Sequence, residues 1–458
     1  MSSFNQRAAS RTLGACALLA LGLGLAACDG PPSSSRTPLA LTASGATNTT
    51  TLGRGDNTTF TFTVANPGKD SVDFVQVTPL GDDVLQAQGA TCTMGGAACP
   101  TDAGTSPQTF NMPPGAVFTF VVHATMLGDK DGTVSMTLAV DSYQHDGEVK
   151  AVAQAPAVDR RDGYYEIFTA AGLRSNLVAS FKPDATSFSV SSGSTDTTFK
   201  SSGYWYTLPS GGHFSSGPDL LAGQADFGNG LDTFIAVRNL VTSLSDLDGQ
   251  SFSTFNVVKG AAASAIDPVT GTTGPLDLWQ AAIAGATMTV CPQAIGAIAS
   301  CDPARLRHYA LTAAAGAGPV FTATDSVDND TFTFQVARSG TSLIYLRADV
   351  APADALFSIG FANATVPAAE HDGYGALNGG FGILVTAPPI WSFLAQTPAG
   401  DFGPSTDNPL ATADDGIAGL LHGTRPGDGV DVYLLQQGVL SLFGTTTGEF
   451  GIAVDRGA

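Results

Sequence analysis

Thr59, Thr61 and Thr63 alternate with Phe60, Phe62 and Val64, and a period of two is what a strand with one buried face requires. The same signature returns along most of the chain. It marks Val117–Val122 after Pro113-Pro114-Gly115, and Val134, Met136, Leu138 and Val140 after the Asp129-Lys130-Asp131-Gly132 turn. Strands are also read at Thr331–Ala337 and Ser342–Arg347, joined by the Ser339-Gly340 turn, and later at Val430–Leu435, Gly438–Phe443 and Glu449–Val454. Many short strands separated by glycine turns restrict the fold to sandwiches and barrels. A mainly β chain is therefore expected, with a β-sandwich over 39–155, a linker over 156–162 and a larger β-rich barrel or sandwich region over 163–458, with room for two subdomains. Only 13% of residues are charged and 54 of 458 are glycine, a composition that suits turn-rich β proteins and argues against disorder.

Helical signal is confined to 276–283 and 303–309. Two long uncharged stretches, 278–301 and 373–400, are not apolar helices. The first holds Gln280, Pro292 and Gln293, and the second Asn378, Pro388 and Pro389. Both are expected to be buried strands and loops. No tandem repeat is visible after Gly163.

The N-terminus has a different character. Arg7 and Arg11 precede an uncharged, leucine- and alanine-rich core from Leu13 to Leu25, too short to span a bilayer and sized as a signal-peptide core. The run Leu25-Ala26-Ala27-Cys28 resembles the lipobox of bacterial lipoproteins. The resemblance implies a signal peptide over 1–27 and cleavage before Cys28. It also implies lipid on the Cys28 thiol and amine, so the membrane becomes a partner through that lipid. Residues 28–38, with three prolines and three serines, are expected to be a flexible tether. An outer-membrane or cell-surface location is favoured. Asp29 resembles the inner-membrane retention signal of enteric bacteria and keeps that location open.

Cys16 leaves with the signal and Cys28 carries lipid, so four cysteines remain. They form two close pairs, Cys92 with Cys99 and Cys291 with Cys301. An even remainder in an exported chain is expected to form disulfides, each worth about 2.5 kcal/mol on the chain-entropy account.

Two further resemblances concern the fold. TFTFTVANPGKDSVDFVQVTPL followed by MPPGAVFTFVVHATM resembles the immunoglobulin-like domains of bacterial surface proteins, which implies a stalk or spacer with the Thr91–Pro100 loop on its edge. Leu244, Leu247, Gly249 and Phe252 are similar to the opening of small lipocalin-like barrels. There a leucine pair closes one end and a glycine lets the first strand bend.

The formal charge is −20, and −22 once Arg7 and Arg11 are removed. Such a chain repels phosphate backbones, so nucleic acid is excluded as a partner. No catalytic residue is assigned. The six histidines, His123, His145, His213, His308, His371 and His422, form no metal-ligand spacing. G-x-S-x-G and a P-loop lysine are absent. Glu370-His371-Asp372 is a solvated turn or, less readily, a metal group. Asp325, Asp328, Asn329 and Asp330 crowd one turn with hard oxygen ligands that suit Ca²⁺, although such turns also form without metal. Tyr204, Trp205 and Tyr206 are core residues or, if exposed, a stacking surface for a ligand. The functional expectation is a non-enzymatic, membrane-anchored binding or surface-interaction protein, with a stalk presenting a β-rich head to a protein, glycan or small molecule. A barrel carrier and, third, a secreted hydrolase using paired carboxylates are the alternatives.

Overall fold

A computed structural model describes residues 36–455 apart from 101–108, 183–184, 192–197, 203–204, 229, 261–275, 292–294, 315–318, 351–353, 366–370, 378–379, 388–389, 396–405, 410 and 413–415. The signal segment, Cys28, Tyr204 and Glu370 lie outside the described residues. The described chain is almost entirely strand, and its helical elements are single 3₁₀ turns such as Leu244–Asp246. No described helix is long and apolar enough to cross a membrane.

Two sheets form the N-terminal sandwich. One orders Thr42–Gly45, Asn57–Ala65, Val117–Met126, Leu85–Met94 and Ala97–Ala98. The other orders Phe110–Met112, Val72–Gly81, Gly132–Ser142 and Val149–Ala157. This is the strand arrangement of immunoglobulin-like sandwiches. The alternating residues meet as the sequence pattern requires. Phe60, Phe62 and Val64 pair across from Val122, Phe120 and Phe118, and all six are fully buried. Asn66 in the Asn66-Pro67-Gly68 turn ties the sheets together. It is 1% exposed, and its side-chain amide donates to the carbonyls of Asp70 (2.8 Å) and Met112 (2.9 Å). The Cys92–Cys99 disulfide, with Cα atoms 5.4 Å apart, joins the last two strands of the first sheet at its edge.

Beyond the sandwich, one strand order occurs three times. In the first unit (163–237), the middle unit (251–362) and the last unit (371–455), strands follow one another as antiparallel neighbours, apart from Ile295–Gly296 of the middle unit, which pairs parallel with Leu276–Ala284. In each, the final strand returns to pair with the opening one. The middle unit closes completely: Ser251–Gly260 pairs with both Leu276–Ala284 and Asp354–Ala362, giving an eight-stranded barrel. In the first unit, Ser187–Val190 and Lys200–Ser201 end the sheet as two edges. In the last, the edges are Thr406–Pro409 and Ala411–Thr412. The Cys291–Cys301 disulfide (Cα atoms 5.8 Å apart) lies in the middle unit.

Of the two readings over 276–284, a short helix and part of a buried strand stretch, the strand holds as Leu276–Ala284, and 303–309 is a turn entering Arg307–Ala313. The reason is burial on both faces. Leu276 and Leu278 face a core shared between units, while Trp279, Ala281 and Ile283 fill the barrel. A strand buried on both sides loses its polar–apolar alternation.

Each unit has a core of its own, and the three share another. The shared core takes Leu220, Ala222, Ile235 and Val237 from the first unit. The middle unit supplies Ile344, Leu346, Ile359 and Phe361, and the last Leu440, Leu442, Ile452 and Val454. The closing strands carry matching triplets, Ile235-Ala236-Val237, Ile359-Gly360-Phe361 and Ile452-Ala453-Val454. The first two are followed by asparagines in the left-handed region, Asn239 (φ 56°) and Asn363 (φ 48°). The hairpins before these strands turn through Asp219 (φ 59°), Gly340 (φ 57°) and Gly438 (φ 58°). Their tips converge. Ser339 Oγ donates to the Pro218 carbonyl at 2.6 Å. A Cβ on Gly438 would stand 2.8 Å from Ser342 Oγ, and one on Gly217 would stand 3.1 Å from Val439 Cγ2. The head is thus a triangle of three sheets around one axis.

Candidate functional site

The middle barrel is the obvious place for a small ligand, and it is filled. Phe334 stacks on Tyr345 at 5.0 Å, Trp279 meets Tyr345 edge-on at 5.8 Å, and Phe252 lies 5.9 Å from Tyr345. Leu247 and Phe252 are fully buried in the same cluster, with Leu244 packed against it, closing one end. Gly249, just before the first strand, has φ 75°. Burial pushes the Tyr309 hydroxyl up to about 12, and it drives Tyr345 upward as well. The barrel is closed at eight strands, and its described interior is a packed core. Nothing here favours the carrier alternative.

Of the aromatic run, read as core residues or a stacking surface, Tyr206 packs against the core of the first unit. Tyr206 stacks on Phe214 at 5.0 Å and meets Phe181 and Phe199 edge-on at 5.1 and 5.2 Å. Trp205 turns the other way, onto Tyr374 (5.0 Å) and Phe381 (6.1 Å) of the last unit. Tyr206 lies in the strand Tyr206–Thr207, and Trp205 just precedes it.

The turn carrying Asp325, Asp328, Asn329 and Asp330 is organised by a guanidinium. Arg307 Nη1 stands 2.8 Å from Asp328 and 3.5 Å from Asp325. Asp325 Oδ1 accepts the Val327 N–H at 2.7 Å, and Asn329 takes φ 59°. Among the described residues, no group of three or more His, Cys, Asp or Glu side chains is arranged to hold a metal ion. His371 and Asp372 begin the strand His371–Leu377.

A cleft of about 360 Å³ lies elsewhere, where the sandwich meets the head. Arg54, Gly55 and Asp129 come from the sandwich, Arg160 and Arg161 from the connection, and Pro218, Asp219, Arg238 and Gly340 from the hairpin tips and closing strand. The connection is no loose linker. Its first two residues complete the strand Val149–Ala157, and the Leu52 N–H donates to the Pro156 carbonyl at 2.9 Å. Arg161 then plugs the joint. It donates from Nε and Nη2 to Asp159 at 2.9 and 2.6 Å, and from Nη1 to the Tyr206 hydroxyl. Its guanidinium carbon sits 4.4 Å over the Phe181 ring. Burial opposes its charge, but Asp159, Tyr206 and Asp129 outweigh that and raise its pKa further.

Around this plug the other arginines are looser. Arg160 pairs with Asp56 and is half exposed. A Cβ at Gly53 would come within 2.2 Å of Arg160 Nε, so glycine makes room for that side chain. Burial raises Asp56, yet the Gly53 N–H and Arg160 outweigh it and hold the carboxyl below its ordinary range. Arg238 donates from Nε to Asp219 (2.8 Å) and from Nη1 to the Asp162 carbonyl (3.3 Å). Arg54 stands 3.6 Å from Asp129, beyond hydrogen-bonding distance. Burial pushes Asp129 above the usual carboxylate value despite Arg161 and Arg54. Sequence reading passed over this site because its arginines are scattered over nearly two hundred positions. The one local signal was the adjacent pair Arg160-Arg161 in a chain with only 20 lysines and arginines.

No protein family matches the chain, and no curated protein matches it. Solved structures resemble it only faintly. A secreted serine protease, VesC of Vibrio cholerae, aligns with 70% of this chain at 9% identity and a TM-score of 0.18, and the match spans half of the protease. The C-terminal domain of a Streptococcus agalactiae AgI/II polypeptide aligns with 80% of this chain and 99% of its own, at 9% identity and a TM-score of 0.17. A quinonprotein alcohol dehydrogenase-like protein of Bacteroides thetaiotaomicron covers 90% of this chain and 97% of its own, at 7% identity and a TM-score of 0.14. At these values nothing of their activities carries over. The fold and cleft define a β-sandwich joined to a three-unit β head.

Proposed function

We propose that the protein is a lipid-anchored, extracytoplasmic binding protein without catalytic machinery, in which the sandwich is a stalk and the three-unit head meets the partner. The observation that carries this reading is where the chain enters the sandwich. The Leu39 N–H donates to the Asp146 carbonyl (2.8 Å) and the Asp146 N–H to the Thr37 carbonyl (3.0 Å), beside the turn joining Gly132–Ser142 to Val149–Ala157. The head leaves from the opposite end of that hairpin, where Gly132 pairs with Ala157. An eleven-residue strand separates the two ends by about 35 Å. A tether over 28–38 would therefore reach the sandwich at the end far from the head. Lipid on Cys28 would fix that end to a membrane, because two or three acyl chains hold durably where one does not.

The test is a Cys28→Ser variant expressed in a bacterial host with labelled fatty acid. The native chain is expected to take label and fractionate with membranes, and the variant to lose both. Equal label and equal fractionation in the two would overturn the anchor.

A further inference from the structure

We propose that the cleft between stalk and head binds a phosphate-class oxyanion. The proposal deepens the binding reading by naming the ligand chemistry of that cleft. It rests on the head being a binding module and not on the lipid anchor.

The first support is volume with chemistry. The joint leaves a cleft of about 360 Å³, within the range of small-molecule sites. Four guanidinium groups, Arg54, Arg160, Arg161 and Arg238, line it against two carboxylates, Asp129 and Asp219. Arg160 and Arg161 have further partners in Asp56 and Asp159. With those included, the cluster is neutral, four charges against four, in a chain of net −20. An anion repelled elsewhere on this protein meets no such barrier here.

The second support is unused donor capacity. Each guanidinium carries five N–H donors in a planar fork. Arg161 spends its fork on Asp159 and Tyr206 and is a structural plug. Among the described residues, Arg54 makes only a long contact to Asp129. Arg160 reaches Asp56 through Nη2, and Arg238 uses Nε and Nη1. These three forks retain N–H groups for a guest, and they arise from three separate segments. A planar carboxylate engages one fork through its two oxygens. A tetrahedral phosphate offers oxygens in several directions and suits convergent forks. The cleft also joins the sandwich to the hairpin tips of the first and middle units, so an oxyanion there would bridge stalk and head.

The test uses the purified protein and inorganic phosphate. Isothermal titration is expected to show saturable, one-to-one binding that weakens as salt rises. Arg54→Gln with Arg160→Gln is expected to weaken binding by about tenfold or more. Both side chains are at least one-third exposed in the native protein, so folding should survive, and a thermal melt checks that. Arg174→Gln, at a surface pair with Glu166 outside the cleft, is expected to bind as the native protein does. Absence of saturable binding at tens of millimolar phosphate, or equal affinity in the double variant, would overturn the proposal. Co-sedimentation with phosphatidylglycerol vesicles, competed by phosphate and lost in the double variant, would assign the phosphate to a lipid headgroup. Phosphate binding without co-sedimentation would assign it to a soluble ester. Neither result depends on fatty-acid labelling at Cys28, so the anchor and the cleft fail separately.

Discussion

The middle and first units share a strand order but not a closure. In the middle unit nine- and ten-residue strands, Ser251–Gly260, Leu276–Ala284 and Asp354–Ala362, pair side by side until the sheet meets itself. In the first, the strands at the same stage shrink to four, two and two residues, Ser187–Val190, Lys200–Ser201 and Tyr206–Thr207. Such short strands offer few ladder hydrogen bonds, and side chains bridge the gap instead. Phe181, Phe188 and Phe199 all reach Phe214, at 6.3, 5.3 and 5.2 Å, and Thr186 Oγ1 donates to the Phe199 carbonyl at 2.9 Å. Order of strands is thus set by the path of the chain, and in the first unit the sheet stays open where its strands are shortest. Aromatic rings can substitute for the missing backbone pairing.

The sharpest way to break this comparison is to remove a ring from each core. Phe214→Ala and Trp279→Ala are each expected to cost about 3–5 kcal/mol, read from denaturant midpoints. If rings replace backbone pairing in the first unit, Phe214→Ala should also release amide hydrogen-exchange protection across Ser187–Val190, while Trp279→Ala leaves the barrel ladder protected. Equal, local loss in both would show that closure makes no difference. Next in size is the Cys291–Cys301 bridge. Replacing both cysteines by serine is expected to cost about 2.5 kcal/mol, with the shift in melting temperature as the check. Ile235→Val, Ile359→Val and Ile452→Val probe the shared core. Each is expected to cost about 0.5–1.5 kcal/mol, and nearly the same amount, because all three sit at the same place around the axis. A spread wider than that range would break the threefold equivalence.

The smallest effect concerns pH at the contact between first and last units. His213 stacks on Phe381 at 5.0 Å, and burial lowers its pKa below 6.5 despite a hydrogen bond to the Gly211 backbone. The unfolded chain therefore takes up a proton first as pH falls. The stabilisation is complete above about 6.5 and declines as pH drops toward the lower folded value. Melting temperatures between neutral and mildly acidic pH should show this slope, and His213→Gln should flatten it. An unchanged slope in the variant would assign the dependence to other groups.

Legibility followed burial. The alternation at 59–64 was readable because one face of that strand is wetter than the other. Ser187–Val190 was readable for the same reason. Leu220–Asp226 passed unseen, and Leu276–Ala284 carried a helical signal beside its reading as buried strand, because both faces of each are enclosed, which erases the period. The two disulfides were readable because their partners lie seven and ten residues apart. The threefold repeat was not, since only the Ile-Ala/Gly-Val/Phe triplets survive as sequence likeness. The arginine cleft was hidden for a different reason. Its groups come from residues 54, 160, 161 and 238, and only the packing of sandwich on head makes them neighbours.

The shared axis also limits how such an architecture grows. Modules stacked in a row leave two raw ends that need caps, and the row can be lengthened. Here the last module comes back against the first, with Trp205 on Tyr374 and Gly217 beside Val439. The circle is complete at three. A fourth copy inserted in the gene would have no seat and would have to hang outside or force the ring open.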